Sequence, residues 1–338
     1  MECIGIGDLH LGKLDNIIPN ASELIVNSVA KVFNYALEAG VRTIIFYGDV
    51  GDKPRLSYES HIALFGLLAV KKYRDLDLHF ILGNHDFAED GTHSLQVLES
   101  ACAWARTSNL IVHTKQELID IDGAPFNFLP YPFTNTRKDK VNVGHFEVSG
   151  SMRDNGRSIS EGIDTKHRTL MGHLHTKHRV RNTYYSGTLY QTNFGESLPK
   201  FFHHVKLPKG APLSELDVEC VKFKPPWKLI NETITTKNDL QALDHEPLNL
   251  YKLFIKEGLD LDINQVLSDY PNVVRHNVFR NKKDLETLIT REWDFDAELT
   301  TDTSAFDELE VIREFMSTAG LRKSQVTRGL EILKGLRK

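Results

Sequence analysis

The sequence predicts an α/β protein built on two packed β-sheets, and three observations carry that prediction. Short apolar runs alternate with longer segments of helical periodicity, the early runs end in polar clusters with a glycine beside them, and enough strands come later to build a second sheet. Residues 3–6, 43–47 and 78–82 are apolar without alternation, as strands covered on both faces are. Between the first two, residues 21–39 place Leu24, Val29, Val32, Phe33, Ala36 and Leu37 mostly on one helical face, and Gly40 follows as a stop. Residues 58–74 and 92–106 repeat the helical signal. The strand signal returns at 110–112, 126–129, 141–143, 169–171 and 183–185, which supplies the second sheet.

Composition excludes several classes. With 41% hydrophobic and 26% charged residues, the chain lies far from the regime of disorder, and 338 residues suggest about two domains at roughly 150 residues each. No apolar run approaches the roughly 18 to 20 residues of a membrane span. Asp8 and His10 interrupt the N-terminus where a signal peptide needs unbroken apolar residues, so a cytoplasmic location is expected. Cys3, Cys102 and Cys220 are odd in number and far apart, which fits reduced thiols rather than a disulfide framework or a thiolate metal site. A net charge of −5 neither demands nor forbids a nucleic-acid partner.

The polar residues at the end of each strand are the informative part. The first run leads to Asp8 and His10, the second to Asp49 and Asp52, and the third to Asn84, His85 and Asp86. Residues 141–143 lead to His145, and 169–171 to His173 and His175. Open α/β sheets place their sites at the carboxyl ends of strands, so five strands are expected to assemble one site, with the glycines letting the backbone turn. Carboxylate, imidazole and amide oxygen without thiolate suit manganese, iron or zinc, and an aspartate is well able to bridge two such cations. Asp8 and His10, and likewise His173 and His175, stand two apart; on an extended segment each pair would project to one face. Two cations roughly 3.5–4 Å apart can activate water and clamp the oxygens of a phosphoester. Asp86 is expected to cap the following turn or to support a ligand. Lys13, Arg55, Arg153 and Arg157 are basic residues near the cleft that could grip phosphates, the last two in the loop 146–163.

The motifs Asp-x-His, Gly-Asp-x-x-Asp, Gly-Asn-His-Asp, Gly-His and Gly-His-x-His, in this order over residues 3–205, resemble the calcineurin-like metallophosphoesterase superfamily. That resemblance implies a sandwich of two β-sheets flanked by helices. Within it, Asp-Leu-His-Leu-Gly at 8–12, Val143-Gly144-His145-Phe146-Glu147 and Tyr185-Ser186-Gly187-Thr188-Leu189 look like the SbcD-type nuclease subunit of the SbcCD DNA repair complex, and the short chain resembles a phage member, which implies the host cytoplasm. The resemblance implies a first metal on Asp8, His10, Asp49 and His175, and a second on Asp49, Asn84, His145 and His173, most simply Mn2+. It implies that His85 assists the leaving oxygen and that Asp52 orients His85. The activity implied is exonuclease and endonuclease cleavage of DNA at ends and in single strands, in recombination and double-strand-break processing. The alternative is a metallophosphatase or phosphodiesterase acting on a non-DNA phosphoester. A protein serine/threonine phosphatase of the superfamily would show Gly-Asp-x-x-Asp-Arg-Gly and Gly-Asn-His-Glu, whereas this chain has Gly51-Asp52-Lys53-Pro54 and Gly83-Asn84-His85-Asp86.

After residue 207 the character changes. Pro208, Pro212, Pro225 and Pro226 bracket an expected linker between a nuclease domain at 1–207 and a small α+β domain at 225–282, which by resemblance caps the cleft. Residues 281–310 carry 3 basic and 10 acidic residues, and 283–303 read as an acidic linker. Ser304 then precedes Phe306, Leu309, Ile312, Phe315 and Met316 at helical spacing, and Val326, Leu330, Leu333 and Leu336 mark a second, basic helix. By resemblance this hairpin at 304–338 binds an SbcC-type ABC ATPase, within a heterotetramer containing a homodimer of this chain and engaging DNA without a membrane.

Overall fold

The structure is a computed structural model that describes residues 1–105, 109–154 and 156–291. The chain divides into two units, Met1–Thr290 and Arg291–Lys338. The helical hairpin expected at 304–338 lies outside the described residues, as does most of the expected acidic linker. Among the described residues no helix is long and apolar enough to cross a membrane.

The first half of the chain alternates strand and helix: β1 (Glu2–Ile6), α1 (Ala21–Glu38), β2 (Thr43–Phe46), α2 (Tyr58–Leu68), β3 (Asp77–Ile81), α3 (Gln96–Ala105) and β4 (Leu110–His113). Helical connections return the chain to the same end of the sheet, so β1 to β4 pair in parallel. A second set comes next: β5 (Glu117–Ile121), β6 (Ala124–Leu129), β7 (Val141–Gly144), β8 (Thr169–Met171), β9 (His178–Val180) and β10 (Thr183–Tyr185). These form a six-stranded sheet in the order β5-β6-β7-β8-β10-β9. The chain then re-enters the first sheet through β11 (Lys200–Lys206), antiparallel to β1, and β12 (Asp217–Phe223), antiparallel to β11.

β12 corrects the expected boundary at 207. The prolines do not bracket a free linker; they frame a short 3-10 turn at Leu213–Glu215 and an edge strand of the first sheet, so that domain runs to Phe223. Its half-buried pattern is weaker than that of the central strands, as an edge position allows.

Period-two alternation sorts the core into layers. Ile4, Ile6, Ile44, Phe46 and Phe80 face α1 and α2, whereas Cys3, Ile45, Tyr47 and Ile81 face Phe126, Phe128, Val141 and Leu170 of the second sheet. On α1 the buried stripe is Ile25, Val29, Val32, Phe33 and Ala36, while Leu37 turns to solvent, one step past the face that the 3.6-residue period sets. The outer face of the second sheet is covered by Phe146, Val148 and Ile159 from the segment after β7.

A smaller sheet completes the described chain: β13 (Lys228–Ile234), β14 (Asn249–Lys256), α4 (Ile263–Asp269) and β15 (Val273–Phe279), with all three strands parallel. Asp262 caps α4 by accepting from the N–H groups of Asn264 and Gln265. The start of the expected acidic linker is helical, as α5 (Lys282–Arg291).

Buried histidines between the sheets make the fold acid-sensitive. His79 Nδ1 lies 3.0 Å from His113 Nε2, and His113 stacks on Phe128. Burial, and then the neighbouring His113, hold His79 down to about 4; burial, and then Lys177, hold His203 down to about 3. The unfolded chain binds these protons near pH 6.5, so stability is full above that pH and is lost as pH falls toward 4, on the order of 3 kcal/mol for each residue. The expected result is a urea midpoint that drops from pH 7 to pH 4.5, with a shallower drop in His203→Leu. An equal drop in both proteins would contradict the assignment.

Candidate metal centre

The polar clusters predicted after five strands meet at one end of the sandwich, after β1, β2, β3, β7 and β8. Backbone bonds tie the first two loops together: the Asp49 carbonyl accepts from the N–H groups of Leu9 and His10, both at 2.9 Å, and the Val50 carbonyl from Leu11, also 2.9 Å. These loops are not extended. His10, Asp49 and His173 have φ of 42°, 48° and 79°, a left-handed conformation that costs a non-glycine residue roughly 1–2 kcal/mol. The extended-segment argument therefore fails for both His10 and His173. His173 and His175, although two apart, serve different groups.

Only part of the glycine expectation holds. Gly48, at φ 100°, makes the sharp turn before Asp49. Gly83 is required for space instead: a Cβ there would stand 2.1 Å from Asp49 Oδ1.

Four donor groups result among the described residues; His10, Asp52 and His85 make one and Asp154, His175 and Glu196 another, while the expected ligands make the two that follow. Asp8, His10 and His175 form the first, with His10 Nε2 3.1 Å from His175 Nε2. Asp49, His145 and His173 form the second. Asn84 joins it through Oδ1, 3.0 Å from His145 Nε2 and 3.1 Å from His173 Nδ1. Asp49 Oδ2 lies 3.1 Å from His145 Nε2 and 3.8 Å from His10 Nε2, so it faces both groups. Asp8, His10, Asp49, His145 and His175 are buried, and Asn84 and His173 half-buried.

The chemistry of these donors fits cations. His145 Nδ1 donates to the Tyr47 carbonyl at 2.7 Å, which leaves Nε2 as the lone-pair nitrogen, and that nitrogen faces two acceptor oxygens, from Asn84 and Asp49. His175 Nδ1 likewise faces the Glu196 carboxylate at 2.9 Å, so its Nε2 lone pair is turned toward His10 Nε2. Lone pairs gathered on acceptors need a positive charge among them, a proton or a metal ion. Electrostatics agree: burial alone would depress His145 and His175, yet Asp49 and Asp8 around the first, and Glu196, Asp154 and Asp8 around the second, push both up to about 9. Asp49, although buried, is held well below the usual carboxylate range by His145, His10 and His85.

Other residues brace the site. The Asp86 carboxylate accepts from the N–H groups of Val50, Gly51 and Gly83 and from the Ser94 hydroxyl, so it locks the second and third loops together. Burial, and then Asp49, push it up to about 6. The expected link between Asp52 and His85 runs through the backbone: His85 Nδ1 donates to the carbonyl of Asp52 at 3.0 Å, while the Asp52 carboxylate stands 3.4 Å from His10 Nδ1 and 3.7 Å from Lys13. The backbone N–H of His85 donates to Asp49 Oδ1 at 2.9 Å. Arg153 makes a two-pronged bond to Glu147 at 2.8 and 2.9 Å, and Glu147 lies 3.8 Å from His173 Nε2. Exposed Arg55 faces Asp90.

Glu196, Asp154 and Glu147 were missed in the sequence. Glu147 stands in the run Val143–Glu147 that follows a predicted strand, yet that run gave it no role of its own; Asp154 and Glu196 follow no predicted strand at motif spacing, and only the four-residue step from Glu196 to Lys200, which meet as a buried ion pair, hinted at a role. A family model described as calcineurin-like phosphoesterase matches residues 1–186. No curated protein matches the chain.

Proposed function

Because this chain belongs to the calcineurin-like phosphoesterase family, we propose that it is a two-metal phosphodiesterase acting on DNA, an SbcD-type nuclease subunit with Mn2+ as its working metal. The observation that carries the two-metal part of this reading is the pair of donor groups with Asp49 Oδ2 facing both, and the backbone N–H of His85 hydrogen-bonded to the same aspartate. Asp8, His10, Asp49 and His175 would hold one ion, and Asp49, Asn84, His145 and His173 the other. Bound there, the ions supply activated water and polarised phosphoryl oxygens. Direct hydrolysis by water, without a covalent enzyme intermediate, is the reaction that donor groups of carboxylate, imidazole and amide oxygen suit.

Support for DNA comes from the three sequence elements that look like the nuclease branch. Tyr185, from one, accepts a hydrogen bond from Val148 N–H and donates to the Phe146 carbonyl, each at 3.1 Å, and so fixes the start of loop 146–163 beside His173. Arg153 and Arg157 on that loop would meet the phosphates of a strand entering the site. The small parallel sheet would cap the same cleft. The place of action is the cytoplasm, the host's for a phage protein, and the cellular task is recombination and break repair.

Nicking of plasmid DNA, cleavage of single-stranded DNA and hydrolysis of a phosphopeptide, assayed side by side with added manganese, test the proposal. Cleavage of both DNAs with an inert phosphopeptide is expected. Hydrolysis of the phosphopeptide alone would move the chain to the metallophosphatase reading.

The proposed partner is an SbcC-type ATPase bound through residues 304–338, whose apolar positions at helical spacing suit a groove on a partner. Deleting residues 304–338 is expected to leave manganese-dependent cleavage of single strands intact and to abolish co-purification with the ATPase and ATP-stimulated cutting of duplex ends. Undiminished association of the truncated chain would place the interface elsewhere.

A further inference from the structure

The second nitrogen of His175 leads away from the donor groups into a buried polar knot. His175 Nδ1 lies 2.9 Å from Glu196 Oε1, 3.1 Å from Thr192 Oγ1 and 3.4 Å from Asp154 Oδ2. Glu196 is buried and fully engaged: it also accepts from Thr192 N–H, from Asn193 Nδ2 at 3.1 Å and from the ammonium of buried Lys200. The same Lys200 donates to the carbonyl of His175 at 3.3 Å, so ring and backbone of this histidine are held by one ion pair.

The strap that carries Glu196 is fastened from outside the phosphoesterase sheets. Gln191 Nε2 donates to the Leu229 carbonyl at 3.1 Å, its Oε1 accepts from Leu229 N–H at 2.9 Å, and Trp227 Nε1 donates to the Gln191 carbonyl at 3.0 Å. Asn231 Nδ2 donates to the Phe194 carbonyl at 2.8 Å. Strand β13 of the small sheet thus grips residues 191–194 like a neighbouring strand, and the strap ends in the carboxylate on His175. The lysine and the imidazole N–H already answer the charge of Glu196. The cluster of Asp154, His175 and Glu196 therefore orients a ligand rather than holding a further cation.

We propose that Glu196 is a positioning residue of the metal centre: it fixes His175 with the proton on Nδ1 and Nε2 free for a cation, and the small sheet holds it in place through Gln191. The proposal rests on the reading of His175 as a metal ligand. Partners of this kind, behind a ligating histidine, typically change metal affinity 10–100-fold when removed.

Calorimetric titration of Mn2+ into the metal-free full chain comes first. Wild type is expected to take two ions and His175→Ala to lose one; failure of this step would sink the metal-centre reading itself. With that step passed, the variant E196Q/K200M, which removes both charges of the buried pair together, is expected to bind one ion 10–100-fold more weakly and the other normally. Wild-type affinity at both sites in the folded variant would overturn the proposal, and so would a third ion in wild type that the variant loses. Long-range 1H–15N spectra of zinc-loaded, histidine-labelled wild type decide the matter independently of how the variant folds. His175 is expected to show a protonated Nδ1 and a metal-bound Nε2, and the reverse tautomer would refute the proposal.

Discussion

Asp49→Asn is expected to abolish manganese-dependent DNA cleavage, with a fall on the order of 10³-fold or more, because it weakens both donor groups at once. Asp49 Oδ2 is the carboxylate oxygen that faces His145 Nε2 at 3.1 Å and His10 Nε2 at 3.8 Å. Asparagine is a cleaner probe than alanine here. The backbone at 49 is left-handed, φ 48°, which asparagine tolerates and alanine adopts at a cost of roughly 1–2 kcal/mol. Asparagine can also keep the bond that Oδ1 accepts from His85 N–H, so the third loop should stay in place. Removing the negative charge takes away the largest of the influences that hold His145 up near 9, leaving Asp8, and the metal-free variant should release that proton at lower pH than wild type. A folded Asp49→Asn protein with near-normal manganese-dependent activity would overturn the site assignment. Asp49→Ala should be equally inactive and less stable, and the difference in unfolding midpoint measures the conformational term.

How much of this was legible depends on where each residue type stands in the chain. The two sheets and the convergence of five strand ends could be read because each site cluster directly follows an apolar run. Asp8, His10, Asp49, Asn84, His145, His173 and His175 all fall in the assembled site. The local geometry could not be read. Nothing in Asp-x-His says that the histidine will sit at positive φ, since that strain is imposed by the bonds of both Leu9 and His10 to the Asp49 carbonyl. Which atom of Asp52 would hold His85 could not be read for a similar reason: the two residues meet as expected, but the backbone carbonyl, not the carboxylate, makes the hydrogen bond. β12 was hidden because an edge strand needs only a half-apolar pattern, and flanking prolines read as a linker. Glu196 was hidden because a buried carboxylate is recognisable only through the lysine and the histidine that fold onto it.

His85→Ala is expected to lower cleavage of DNA by about 10² to 10⁴-fold while both metal ions still bind, the range in which a positioned proton donor contributes. Its ring stands edge-on to His10 at 4.8 Å between centroids, close to the first donor group, yet His85 bonds to backbone groups and to Asp49 rather than entering either proposed ligand set. Donation from Nδ1 to the Asp52 carbonyl leaves Nε2 as the nitrogen that meets the departing sugar oxygen, and it is the doubly protonated ring that gives up its Nε2 proton there while Nδ1 keeps its own. That role makes the defect depend on the leaving group. A phosphodiester with a p-nitrophenol leaving group, stable as an anion without a proton, should be cleaved by His85→Ala at close to the wild-type rate. An equal defect on both substrates, or loss of a metal ion in calorimetry, would show that His85 acts on binding rather than on departure. Asp52→Asn separates the two functions further. The backbone carbonyl that orients His85 survives the substitution, so leaving-group dependence should remain that of wild type. The carboxylate lost from beside His10 Nδ1 should instead appear as weaker binding of one ion and a milder fall in rate.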